Sequence, residues 1–361
     1  MNDANELISF IASMSGEGNL RVEENLGEGY VRLRVSEAER RQAKHDIQHV
    51  EDIVIEMLRN ARDAGADKVY LATTKEDGVR TLVFLDNGSG VPQDMQECIF
   101  DARVTSKLES MKMDRWGVHG RGMALFSIKQ NTDEARVVAS DVDLGSVFKV
   151  SVATDRLGER ADQSSWPQAV KDEDGHYVCA RGPHNIIRAA CEFALEELRA
   201  CDVYLGSPSE IAATLHAQAS SRLDASRLLF IDDEAELPVV DRLGLASDAE
   251  DFIRICSGLG LEMSERTAHR ILAGQIKPVR GVTARLLRER DSSSHASAPV
   301  DLAKDRRGLR IAKDDMAQFS RAVERDFNDL ASRYYLNLCG DPKIRVSRDR
   351  ITVTFDLAKE E

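Results

Sequence analysis

Residues 51–64, EDIVIEMLRNARDA, constrain this chain more than any other stretch. Apolar Ile53, Val54, Met57, Leu58 and Ala61 recur at helical spacing, which predicts an amphipathic helix over 50–64. Glu56, Asn60 and Asp63 follow one another at intervals of four and three, so they stack in one column on one face of it. Oxygen donors of this kind suit magnesium, which takes few protein ligands and keeps several waters. A carboxylate one turn away can orient a water for attack on a phosphoryl group. Taken alone, the helix reads equally well as a solvated polar stripe.

Two later signals add to it. Val69–Thr74 and Arg80–Asp86 are apolar-rich runs parted by Lys75-Glu76-Asp77-Gly78, which predicts a strand hairpin. The second run ends in Asp86-Asn87-Gly88-Ser89-Gly90-Val91. An acid at a strand end, followed by two glycines, lets a planar ligand approach the backbone closely. A carboxylate there can accept from the exocyclic amine of a base such as adenine. The run Gly117-Val118-His119-Gly120-Arg121-Gly122 then leads into Met123–Lys129 and reads as a glycine-rich turn opening a helix. Such a turn presents N–H groups and the positive end of the helix dipole to an anion. Its spacing fits neither a Walker loop nor a dinucleotide fingerprint. Thr105-Ser106-Lys107, just upstream, offers two hydroxyls and a cation that could fold over phosphates.

Over about 45–153 the chain resembles the GHKL superfamily of ATP-binding domains, which includes gyrase B subunits, the large heat-shock chaperone, histidine kinases and MutL mismatch-repair proteins. The resemblance implies ATP and Mg²⁺ as cofactors. It makes Glu56 the general base, Asn60 the magnesium ligand and Asp63 a secondary pocket residue. Asp86, with Gly88 and Gly90, becomes the adenine reader. Gly117, His119, Gly120, Arg121, Gly122 and Met123 fall at the junction of lid and helix. Ser146 stands where the family usually has threonine. Thr105, Ser106 and Lys107 are similar to the MutL lid, whereas Gly117–Gly122 is closer to the gyrase sequence. Histidine kinases generally lack the glutamate, so Glu56 favours the hydrolysing branch: a slow ATPase switched by lid closure, with a possible ATP-dependent homodimer. The alternatives are an ATP-sensing DNA-binding regulator without significant hydrolysis and a phosphotransfer protein using His45 or His49.

The expected fold class is α+β. An N-terminal α/β sandwich over 1–155, with a mixed sheet covered by helices on one face, precedes a mainly helical middle region (156–290). A linker at 291–300 and a helix plus β-hairpin at 301–361 complete the chain. Residues 1–28 read as a short helix (Leu7–Ala12) and a loop, and 155–176 as a polar loop. Within 251–290, two short helices flank a turn, with Ser264 capping the second and Gly274 ending it. SERTAHRILAG is similar to the recognition helix of helix-turn-helix repressors, and the arginines around it make nucleic acid a candidate partner. An ordinary helical pair with a solvated basic face fits the same residues. Gln275-Ile276-Lys277 also resembles the gyrase tripeptide whose lysine reaches the terminal phosphate, which makes Lys277 an ATP-contact candidate.

Composition limits the partners. With 49 basic and 62 acidic residues, the net charge of −13 argues against global nucleic-acid binding, though a local basic surface is compatible with it. The six cysteines form no CxxC motif. No signal peptide and no apolar run of spanning length is read, so a cytoplasmic protein without a membrane partner is expected.

Overall fold

The computed structural model describes residues 22–106, 112–119, 122–223, 231, 233–287, 313–331, 336–340, 342–346 and 351–359. Leu7–Ala12 and the 291–300 linker lie outside them. The chain divides into two compact units, Met1–Arg290 and Asp291–Glu361.

The first unit opens with β1 (Val22–Gly27) and β2 (Tyr30–Leu33), then α1 (Glu37–Asp46) and α2 (Val50–Asp63). The hairpin β3 (Lys68–Glu76) and β4 (Val79–Asp86) turns on Asp77 and Gly78, both in the left-handed region, as a two-residue hairpin requires. Next come β5 (Val104–Thr105), the short hairpin β6 (Lys112–Asp114) and β7 (Gly117–His119), and α3 (Ala124–Asn131). Strands β8 (Glu134–Ser140) and β9 (Ser146–Ala153) are followed by the hairpin β10 (Gln168–Lys171) and β11 (Tyr177–Arg181). Helix α4 (Ile186–Glu196), β12 (Asp202–Gly206), α5 (Pro208–Arg222), α6 (Ala249–Gly258) and α7 (Glu265–Leu272) end the unit.

The central sheet runs β12-β3-β4-β9-β8, with β12 parallel to β3 and the other pairs antiparallel. The fold is thus α+β with a mixed sheet, as expected. Its helical cover goes further than the expected single face. Val69, Leu71, Leu82, Phe84 and Val150 pack with α2 and α4 residues in one core. The alternate residues Tyr70, Ala72, Val83 and Leu85 pack with α5, α6 and α7 in a second. β3 and β4 are buried on both faces because their apolar residues are continuous rather than alternating, a pattern that calls for two covering layers. The fifth strand, β12, comes from the region expected to be mainly helical, where Val203–Leu205 alone reads as a short strand, and its Val203 is Val69's register partner.

Two other expectations change. The 155–176 stretch contributes β10 to a hairpin, which the sequence concealed because β10 is mostly exposed and polar. The N-terminal stretch contributes β1, which pairs with β2.

Helix α2 buries its predicted stripe completely: Ile53, Val54 and Leu58 expose no surface. Each such side chain contributes about 1.5–3 kcal/mol, so this helix is held rigidly under the sheet. The polar column on its flank is fixed with it.

The second unit contains α8 (Lys313–Ala331) and the pairs β13 (Leu336–Leu338) with β16 (Leu357–Lys359) and β14 (Lys343–Val346) with β15 (Ile351–Thr354). Phe327 stacks on Phe355, with ring centroids 4.0 Å apart.

Candidate functional site

A cavity of about 610 Å³ opens between α2, the end of β4, β5 and the start of α3. Glu56, Asn60, Asp63, Asp86, Gly90, Thr105, Ser106, Gly122, Met123 and Ser146 all line it. The polar column of α2 therefore faces the same space as both glycine-bearing turns. Phe84, Val91, Ile99 and Phe148 provide apolar wall.

Asp86 ends β4 and is 4% exposed. Its Oδ1 accepts from the Gly88 N–H at 2.8 Å and its Oδ2 from the Ser146 hydroxyl at 3.1 Å. A carboxylate accepts in about four directions, and these two bonds orient it. The glycines beside it answer to protein packing. A β-carbon on Gly88 would lie 2.8 Å from Ala64 O, and one on Gly90, at φ +71°, would lie 1.8 Å from Asp141 O. Close approach of a ligand is not needed to explain either glycine.

The α2 column carries a charge network that sequence reading missed. Arg59 Nε and Nη2 grip both oxygens of Asp114 at 2.9 and 3.0 Å, while Nη1 donates to Glu56 Oε1 at 2.9 Å. Arg62 donates to Asp63 Oδ1, Asp114 Oδ2 and Glu197 Oε1 at 2.9, 3.1 and 3.1 Å. Burial pushes the Asp114 carboxyl up, but the Arg62 hydrogen bond, the Arg59 charge and the Trp116 N–H outweigh it and hold it below the usual carboxylate range. Burial acts against the Arg62 charge, yet its bonds to Asp63, Asp114 and Glu197 raise it above the ordinary arginine value. Arg59 sits between Glu56 and Asn60 in sequence, so its place on the helix was readable. Asp114 lies 55 residues from Arg59, and nothing in its own neighbourhood announces the pairing.

The glycine-rich run divides in two. Gly117–His119 is strand β7, paired with β6 through Asp114↔Gly117 and Lys112↔His119, rather than part of a turn opening a helix. The turn that meets the cavity is Gly122–Met123: Gly122 has φ +67° and its carbonyl accepts from Arg103 N, and α3 starts at Ala124 without a side-chain cap. The Ser127 hydroxyl, in the first turns of α3, is buried with no hydrogen-bond partner among the described residues. Lys107, Gly120 and Arg121 lie outside the described residues. Thr105 belongs to β5 and pairs with Val31, so it is an edge residue rather than a free loop. Tyr30 reaches the same wall. Burial raises its phenol more than the Ser106 hydrogen bond lowers it.

The remaining candidates lie elsewhere. Lys277 is exposed in the segment after α7 and is not among the cavity residues. His45 occupies the last turn of α1, and His49 is the N-cap of α2, its N–H donating to Asp52 Oδ2 at 2.9 Å. Ser264 caps α7, accepting from Thr267 N, and Gly274 follows it with φ +68°. Ala268 and Ile271 are buried while Arg266, His269 and Arg270 are exposed. No helix among the described residues is long and apolar enough to cross a membrane.

Among the described lining residues Arg59 is the one cation, against the carboxylates of Asp46, Glu56, Asp63 and Asp86. Among the described lining residues, a polyphosphate entering alone would meet more carboxylates than cations. A divalent cation beside the Asn60 amide oxygen would reverse that, so the donor set fits magnesium.

Residues 47–140 match the family described as histidine kinase-, DNA gyrase B-, and HSP90-like ATPase. The DNA mismatch repair proteins MutL of Staphylococcus aureus strains Newman and JH1 are each 28% identical over 136 residues, covering 35% of this chain and 20% of the relative. The chain thus matches about a fifth of the length of these curated relatives. Residues 47–140, which hold α2, α3 and strands of the mixed sheet, thus carry a match to a GHKL-type ATPase domain.

Proposed function

We propose that this protein is a magnesium-dependent ATP-binding switch that hydrolyses ATP slowly. The observation carrying this reading is that Glu56, Asn60 and Asp63 line one cavity with Asp86 and the Gly122–Met123 turn. Asp86, held by Gly88 and Ser146, accepts from the adenine amine. The N–H groups at the start of α3, with the Ser127 hydroxyl, receive phosphate oxygens. Asn60 is the magnesium ligand, and the ion, when bound, neutralises phosphate charge. Glu56 directs a water and takes its proton. Thr105 forms a fixed edge of the phosphate end, and Ser106 with Lys107 closes over it, so turnover is limited by lid closure and by ATP-dependent pairing of two copies.

Glu56→Ala should keep ATP affinity within a few-fold and abolish phosphate release. Phosphate release at the wild-type rate would reject the assignment. Sedimentation with and without a non-hydrolysable ATP analogue tests the pairing.

A second reading is favoured by the exposed Arg266, His269 and Arg270 on the Ser264-capped α7. In it, the ATP-bound state governs binding of duplex DNA by that helix, and hydrolysis is incidental. The name of the matched relatives, DNA mismatch repair protein, is compatible with such a partner.

A further inference from the structure

We propose that Asp114 and Arg59 form a positioning relay for Glu56, so that the β6–β7 hairpin aims the carboxylate that directs water. The inference rests on the hydrolytic reading of Glu56 given above.

The Arg59 side chain is 3% exposed and that of Asp114 6%, while Glu56 is 23% exposed toward the cavity. A guanidinium is planar and rigid. Once Nε and Nη2 are engaged by the two Asp114 oxygens, the direction of Nη1 is fixed, and that direction ends on Glu56 Oε1. Desolvating an arginine is costly, and the Asp114 fork alone offers good compensation. The additional bond to a partly exposed carboxylate at the cavity is what points to positioning rather than to a simple clip.

Asp114 is itself immobilised. The Trp116 N–H donates to Oδ1 at 3.0 Å and Arg62 Nη1 to Oδ2 at 3.1 Å. The Trp116 ring stacks on Phe193 of α4 with centroids 6.3 Å apart, and Arg115 approaches Glu192 of the same helix at 3.5 Å. A continuous line of rigid contacts therefore runs from α4, outside the segment matched by the family, through the hairpin to Glu56.

The test uses the full chain carrying Arg59→Lys, Asp114→Asn or Asp114→Glu, with steady-state phosphate release, ATP binding and melting temperature measured together. Lysine keeps the charge but cannot fork across two carboxylates. The relay requires kcat to fall about 10- to 100-fold in Arg59→Lys and Asp114→Asn, with KM within about threefold, and Asp114→Glu to recover part of the loss. Unchanged kcat in both variants overturns the relay. So does a loss of kcat matched by loss of ATP binding and melting temperature without rescue by Asp114→Glu. A double-mutant cycle of Asp114→Asn with Glu56→Gln, read in melting temperature, needs no turnover. Non-additivity above about 2 °C supports the relay, and additivity overturns it. Wild-type protein that binds ATP but releases no phosphate would remove the hydrolytic reading, and the cycle would still judge the relay.

Discussion

Asp86 and Ser146 face each other as register partners across the β4–β9 ladder, and the Ser146 hydroxyl donates to Asp86 Oδ2 at 3.1 Å. Two short motifs sixty residues apart are thus one device, made by strand pairing. Removing the hydroxyl should leave the carboxylate less well aimed while keeping its charge. Ser146→Ala is expected to weaken ATP binding by about 3- to 10-fold, corresponding to a hydrogen bond of roughly 1 kcal/mol. Asp86→Asn should cost more, about 30-fold or above, because an amide NH₂ would oppose the Gly88 N–H or the Ser146 hydroxyl. Titration calorimetry measures both, and unaltered affinity in Asp86→Asn would remove Asp86 from the base-binding role.

Glycine substitutions should separate packing from backbone conformation. Gly90 and Gly78 both have positive φ, +71° and +79°, but only Gly90 has a carbonyl within 1.8 Å of its missing β-carbon. Gly78→Ala should cost about 1 kcal/mol. Gly90→Ala must also displace the β8–β9 turn, and about 3 kcal/mol or more is expected. Urea midpoints at constant m-value compare them directly. Equal losses would show that the contact with Asp141 relaxes freely.

What could be read from the sequence was whatever local periodicity encodes. The α2 stripe, the Asp77-Gly78 hairpin and the Ser264 cap need only neighbours in sequence, and each appears in the structure. Asp86 and Ser146 were found through motif likeness, while their bond needed the register of the sheet. Asp114 was missed because its partners lie 52 and 55 residues away. Gly117–His119 was misplaced because a glycine-rich run scores alike as a helix-opening turn or as a hairpin strand. Long-range pairing, not composition, decides between those two. Val203–Leu205 could be read as a short strand but not placed in the sheet, since its parallel partner β3 lies more than 130 residues upstream.

Acid should act on the site through Asp114. Its carboxyl is held below the ordinary value of 3.8, despite burial, chiefly by the Arg62 hydrogen bond and the Arg59 charge. A folded pKa below the unfolded one means that the unfolded chain binds more protons between the two. Stability from this group is therefore complete above about pH 3.8 and is lost as pH falls through the depressed folded value. Asp114→Asn should be less stable than wild type at pH 7, and that difference should shrink on acidification toward pH about 3. Denaturation curves of both proteins across this range provide the comparison, which cancels other depressed carboxylates such as Glu159. A constant difference would mean that the Asp114 charge is not what stabilises the hairpin.

Metal dependence is expected from the carboxylates among the described lining residues. With Asp46, Glu56, Asp63 and Asp86 facing one described cation, Arg59, ATP without a divalent ion should bind at least about tenfold more weakly. Chelation with excess EDTA should produce that loss, and Mg²⁺ should reverse it. Asn60→Ala should abolish most of the magnesium effect while leaving the residual metal-free affinity within a few-fold. If Asn60→Ala responds to Mg²⁺ as wild type does, the ion is held by other groups.

The basic helix supplies a last discrimination. Arg266 and Arg270 lie one turn apart on the exposed side of α7, while Ala268 and Ile271 anchor its inner side. Removing both charges should therefore leave the fold intact, with a melting temperature within about 2 °C of wild type. If α7 holds duplex DNA, Arg266→Ala/Arg270→Ala should weaken a gel shift roughly tenfold at low salt. It should also flatten the salt dependence by nearly two units of slope, because each lost phosphate contact releases one fewer counterion. The carboxylate of Glu265, grouped with Arg266 and Arg270 on the same surface, limits the field those arginines can project. Binding that is salt-insensitive, or unchanged in the double variant, would leave α7 as a packed helix with a solvated basic side, and DNA would have to engage another surface or none.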